Sequence, residues 1–280
     1  MGGRGSKYSR TLTIKGAASQ LLQPDDGNND ADQQNDTQSP TDGTQRITDP
    51  QALMQFFQQA DTKAADAMLA QWRTETLDPD NRQQDNDVQR FFNYIGWSSN
   101  TPEVMTEQQY QQALQQAGNP SQIYHSDQPY NGVGARQFAA QFMGQGFSAN
   151  GDQYRHFISG GVHGGGTYFA NSASRSAAYG PSQFRGFLNS NARVIKEVQL
   201  DKQLKAFESK YPAFKHVMDQ VTTNYGGAGY RGESKSIFAA MLGYNVIDSE
   251  NSAGYISVLN RSAVTVSNKT KRARIGMSDW

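Results

Sequence analysis

An α+β fold is what this sequence predicts, and three observations predict it. Residues 48–120 carry their apolar side chains at helical spacing. From Ile123 onward the pattern turns to short apolar runs separated by glycine-rich joints, which read as strands. Further helical stretches then follow within the same half of the chain.

The elements follow in order. Residues 23–46 hold Asp, Asn, Gln, Thr, Pro and Gly without one large apolar side chain, which reads as an acidic disordered linker. Thr48-Asp49-Pro50 is a helix start, with a capping side chain and Pro in the first turn. Leu53, Phe56, Phe57, Ala60, Ala64, Met68 and Trp72 continue it at helical spacing. Val88, Phe91, Phe92 and Ile95 make a second helix, stopped by Gly96, and residues 107–116 make a third, ended near Gly118-Asn119-Pro120. Residues 193–198 alternate and read as a strand; 202–218 and 234–242 read as helices, with a glycine loop at 224–229 between them. Residues 243–247 are turn then strand, and 256–259 with 263–266 read as a closing hairpin. Lys269, Lys271, Arg272 and Arg274 make a basic tail. The boundaries that follow are a leader and linker over 1–47, a helical lead-in over 48–120 that packs on the core or, as the alternative, forms a separate interaction module, a core domain over 121–267 and a tail over 268–280.

Composition narrows the function classes. Net charge is formally zero, so no global field selects nucleic acid or a membrane surface. There is no Cys, which excludes disulfides, thiol nucleophiles and Cys-based zinc sites. No apolar run approaches the roughly 20 residues that span a bilayer. The start, Met1-Gly2-Gly3-Arg4-Gly5-Ser6, fits a loose myristoylation pattern, but six residues match it by chance often and a flexible glycine-rich leader is the favoured reading. His163-Gly164-Gly165-Gly166 looks like an esterase oxyanion loop, but the chain has no Gly-x-Ser-x-Gly elbow, and a tight turn accounts for the glycines. His125, His156, His163 and His216 have no metal-ligand spacing.

The chemistry concentrates in residues 166–179, Gly-Thr-Tyr-Phe-Ala-Asn-Ser-Ala-Ser-Arg-Ser-Ala-Ala-Tyr. A strand end seats Tyr168 on a rigid element, a serine-rich turn follows, and Tyr179 comes eleven residues after Tyr168. Two aromatic faces with hydroxyls between them suit a flat ring that carries an amide. Upstream, Ile123-Tyr124-His125-Ser126 is an apolar strand end that delivers a histidine. Between them, residues 134–143 supply a helix with Phe138 and Phe142 at i, i+4. These residues resemble the ADP-ribosyltransferase family of the diphtheria-toxin and poly(ADP-ribose) polymerase type. That family has a Gly-x-Tyr-Phe-Ala strand, then Ser-Lys-Ser-Ala-x-Tyr at the same separation, and Tyr-His-Gly or Trp-His-Gly upstream. Here the counterparts are Ser174-Arg175-Ser176-Ala177-Ala178-Tyr179 and Tyr124-His125-Ser126, with Ser in place of Gly narrowing the pocket. Residues 91–97 with Pro102-Glu103-Val104, and later 243–247 and 255–262, look like the lead-in and end of bacteriophage ADP-ribosyltransferase-like proteins. The resemblance covers about residues 88–266.

The resemblance implies two small, mostly antiparallel sheets packed face to face around an NAD cleft. It implies nicotinamide between Tyr168 and Tyr179, its amide held by the Ser126 backbone and the Ser176 hydroxyl, with His125 orienting a ribose. Ser174 and Ser176 suit a helix cap as well. The family's catalytic Glu stands directly before a Tyr and β-branched residues, where it stabilises an oxocarbenium-like transition state. In Ser252-Ala253-Gly254-Tyr255-Ile256 no Glu holds that place; Glu250 is the provisional carboxylate, and Glu233 is an acid at a helix start. The function expected is NAD-dependent mono-ADP-ribosyl transfer to a macromolecule, a protein before a nucleic acid, in a bacterial host cytoplasm or a virion. The competing class is a catalytically weak or inactive member of the same fold serving as a minor virion or interaction component, with capsid proteins as partners. Nucleic-acid binding through the basic ends is a third class.

Overall fold

The computed structural model describes residues 46–75, 87–127, 139–140, 142–144, 165–221, 232–249 and 254–272. The 23–45 part of the linker, most of the 134–143 helix, the 224–229 glycine loop and Glu250 lie outside them.

The lead-in starts as its capping residues dictate. Helix α1 (Pro50–Gln59) has Asp49 accepting from the Ala52 amide at 2.7 Å. The helical spacing from Leu53 to Trp72 is carried by two helices rather than one. Ala60 is extended, and Asp61 opens α2 (Thr62–Thr74) by accepting from the Ala64 amide at 2.8 Å. A second capping aspartate competes with helix continuation, and the apolar stripe survives the break. Helix α3 (Asp87–Tyr94) ends at Gly96, whose φ of 77° only glycine adopts without strain. Helix α4 (Glu107–Gln116) carries a full capping box between Thr106 and Gln109.

The strands are β1 (Glu103–Met105), β2 (Ile123–Asp127), β3 (Thr167–Ala170), β4 (Ser182–Leu188), β5 (Val194–Lys196), β6 (Val246–Asp248), β7 (Tyr255–Val258) and β8 (Val264–Ser267). They are hydrogen-bonded in the order β1-β8-β4-β2-β3-β7-β6-β5, and a short β9 (Lys271–Arg272) pairs with β4. The class is therefore α+β, with β1–β8 and β5–β6 parallel and the other pairs antiparallel. Where two facing sheets were expected, one mixed series forms. Its weakest join is β2 to β3, with the single register pair Tyr124↔Ala170, against five pairs between β2 and β4.

Two other expectations change. The anticipated hairpin of β7 with β8 does not form, because the two strands lie in opposite halves of the sheet. After β7 the amide of Leu259 donates to Asn245 O at 2.9 Å, and Asn260 caps a 3-10 turn, Arg261–Ala263, that carries the chain across. The 193–198 strand stops at Lys196. Helix α6 (Glu197–Lys210) takes over five residues before the expected start, leaving Val198 72% exposed. The expected single helix to Met218 is divided at Tyr211, because Pro212 begins α7 (Pro212–Gln220). Helix α8 is Gly232–Met241.

One apolar core joins lead-in and sheet. Phe57 meets Phe214 of α7 at 5.4 Å between ring centroids, Trp72 meets Phe91 at 4.9 Å, and Phe214 meets Phe238 of α8 at 5.7 Å. The lead-in helices are thus built into the molecule rather than standing apart.

Candidate functional site

The site forms where β2, β3, β7 and a short helix α5 (Ala173–Ala177) come together. Gly166 opens β3. A Cβ there would come 2.5 Å from Ser257 Oγ and 2.8 Å from Val258 O, so β3 closes on β7 only around a glycine. Ser172 then caps α5 by accepting from the Arg175 amide at 3.3 Å, which turns the chain back over the sheet.

His125 on β2 reaches the β3 backbone: its Nδ1 donates to Tyr168 O at 2.6 Å. A carbonyl only accepts, so this bond puts the proton on Nδ1 and leaves Nε2 as the acceptor atom. The ring packs 5.6 Å from Phe169 and 5.2 Å from Phe184, and Phe142 completes that aromatic cluster. Burial pulls the imidazole down to about 4, against the opposing pull of the Tyr168 carbonyl, so it is neutral at physiological pH. Its chemistry is a hydrogen bond, not proton transfer.

Ser126 leaves β2 on the opposite face from His125, as strand alternation requires. It is buried, and its Oγ accepts from Ser176 Oγ at 2.7 Å and from Gln183 Nε2 at 3.1 Å. Gln183 also donates to Ala173 O at 2.8 Å, so one amide ties β4, β2 and α5 together. Ser176 is therefore fixed by tertiary contact and is not the helix cap; Ser172 fills that role.

Tyr168 is half-buried on β3, beside Tyr255: Ala170, two residues on and on the same strand face, pairs with Tyr255. Tyr179 follows α5, is 53% exposed, and turns its ring edge-on to Tyr255 at 5.6 Å and 84°. The two hydroxyls lie 2.5 Å apart, and that bond, with some burial, raises the Tyr179 phenol above its ordinary range. So Tyr179 has Tyr255 as its ring partner. Arg175 joins this pair, its guanidinium 5.8 Å from the Tyr255 ring.

Tyr255, Arg175 and Gln183 were not picked out from the sequence. Tyr255 and Arg175 lay inside the quoted motifs and needed only attention to neighbours; Gln183 carried no local signal. Of the two acids considered, Glu233 is buried at the start of α8, one turn before Ser236, whose Oγ donates to Gly165 O at 3.0 Å beside the start of β3. Glu250 lies outside the described residues, but its flanks are pinned: the Ser249 amide donates to Tyr255 O at 2.9 Å and the Gly254 amide to Ser249 O at 3.2 Å.

A separate groove of about 570 Å³ lies between α2 and α7, lined by Asp66, Arg73, His216 and Gln220 among others. It is remote in sequence and element from the tyrosine cleft, and its polar groups already bond one another. Among the described residues no cluster of three metal-ligating side chains occurs, and no described helix is long and apolar enough to cross a membrane. No protein-family model, curated protein or solved structure matches the chain.

Proposed function

We propose that this chain is an NAD-dependent mono-ADP-ribosyltransferase acting on a macromolecule, a protein in the first instance. The observation that supports it most is convergence. Two motifs that are 43 and 50 residues apart in sequence meet on adjacent residues of β2, His125 on Tyr168 O from one face and Ser126 on Ser176 from the other. On this reading the thin β2–β3 join separates the two sheets of an ADP-ribosyltransferase core, and the cleft opens there. Nicotinamide lies against Tyr168 and Tyr179, its amide replaces the Ser126–Ser176 bond, and His125 orients a ribose. The glycosidic bond then ionises towards an oxocarbenium, and an acceptor nucleophile takes C1 of the ribose. Glu250, beside the pinned Ser249, is the provisional carboxylate.

A second reading has one specific observation in its favour. Gly254 stands directly before Tyr255, where the family pattern has its Glu, so the fold would bind NAD without turning it over and serve as an interaction or virion component. Phage origin and capsid partners belong to this reading too.

Incubating the full-length protein with labelled NAD and host lysate, beside a Tyr168→Ala control, separates the two. Label transfer that vanishes in the control supports the transferase. NAD binding without transfer supports the second reading, and no calorimetric NAD binding refutes the transferase and leaves the fold in a purely structural role.

A further inference from the structure

The space at Gly254 is taken by a cation. Gly254 has a φ of 72°, and a Cβ there would overlap the guanidinium of Arg175, so Arg175 lies on the backbone where a side chain would begin. Arg175 is exposed, rests beside the Tyr255 ring, and has no carboxylate partner among the described residues. The seat that holds a negative charge in the family pattern therefore holds a positive one. A cation near a ribose C1 that is itself becoming positive opposes bond ionisation. Two unit charges about 6 Å apart, at an exposed site whose effective dielectric lies between the near-surface and bulk-water values, interact by an amount worth roughly tenfold in rate.

We infer that Arg175 makes cleavage conditional on an acidic acceptor. Alone, it holds NAD cleavage down. Paired with an acceptor carboxylate, it is neutralised and delivers the nucleophile. A carboxylate oxygen lone pair forms the new C1–O bond while the C1–N bond breaks, and its electron pair passes to the pyridinium nitrogen, releasing neutral nicotinamide. No proton moves, so no general base is needed; the step runs with Gly254 standing before Tyr255 and does not require the provisional Glu250. The inference rests on the NAD-cleft reading above.

The test follows nicotinamide release from NAD by full-length wild type, Arg175→Gln and Arg175→Lys, each alone, with a Glu-containing peptide, and with its Gln counterpart. Calorimetry measures NAD binding to each protein. The expected result is slow release by wild type and Arg175→Lys, raised about tenfold by the Glu peptide and not by the Gln peptide. Arg175→Gln releases about tenfold faster than wild type without peptide and gains nothing from the Glu peptide. Identical wild-type and Arg175→Gln rates, equal effects of the two peptides, or NAD binding with no release under any condition each overturn the inference and leave the binding site standing. Absence of NAD binding in wild type and Arg175→Gln refutes the NAD cleft itself, and this inference with it.

Discussion

Ser126 keeps Ser176 occupied: the 2.7 Å bond between their hydroxyls fills the place proposed for the nicotinamide amide. Ligand binding must exchange that bond for one to the amide, while Gln183 loses an acceptor. Ser126→Gly removes the competing hydroxyl and its bulk, so NAD affinity should rise several-fold by calorimetry, roughly 1 kcal/mol. Unchanged or weaker binding would show that Ser176 does not meet the ligand. Tyr168→Ala should abolish NAD binding with the folded circular-dichroism spectrum intact; wild-type affinity would refute the pocket. His125 sets a pH dependence. Its folded-state value of about 4 lies below the ordinary 6.5, so the unfolded chain binds the extra proton between them. Stability from the neutral, buried ring is full above about 6.5 and is lost as pH falls towards 4. Allowing for the partial exposure of the residue, the loss is about 2 kcal/mol. Denaturant titrations across this window should show a slope that His125→Asn reduces.

At the scale of elements, glycines and caps decide where the chain turns. Gly166→Ala forces a methyl against Ser257 Oγ and Val258 O, one of them backbone that cannot swing away. It should cost about 1–3 kcal/mol in urea midpoint experiments and loosen the β3–β7 pair that carries Tyr168. A wild-type midpoint would mean that β3 shifts freely. Asp61→Ala should cost about 1 kcal/mol, because it removes the acceptor that starts α2. The element boundaries that spacing misplaced lie where a continuous pattern meets a local or tertiary interruption. Ala60, Tyr211 and Lys196 sit inside continuous patterns, and a competing cap, a proline or the end of the pairing with β6, where a helix takes over, interrupts each.

For the whole molecule, one large core shared by lead-in and sheet sets cooperativity. Trp72 is fully buried and packs on both Phe57 and Phe91, and Phe57 packs on Phe214. Trp72→Ala should cost about 3–5 kcal/mol, and lead-in and sheet should melt in one transition by calorimetry. Two separate transitions would show the lead-in to be an independent unit. The helix start at Asp49, the helix over 107–116, and the strands carrying His125 and Tyr168, were legible because local capping, helical spacing and alternation determine them. The sequence by itself also determined the motif pair His125-Ser126 and Tyr168 to Tyr179, since those are covalent facts. Only the tertiary structure decided that β7 and β8 part company, that Tyr179 turns to Tyr255, and that Arg175 covers Gly254. Strand partners and side-chain neighbours depend on contacts distant in sequence, and those are set by packing of the whole chain rather than by any local run of residues.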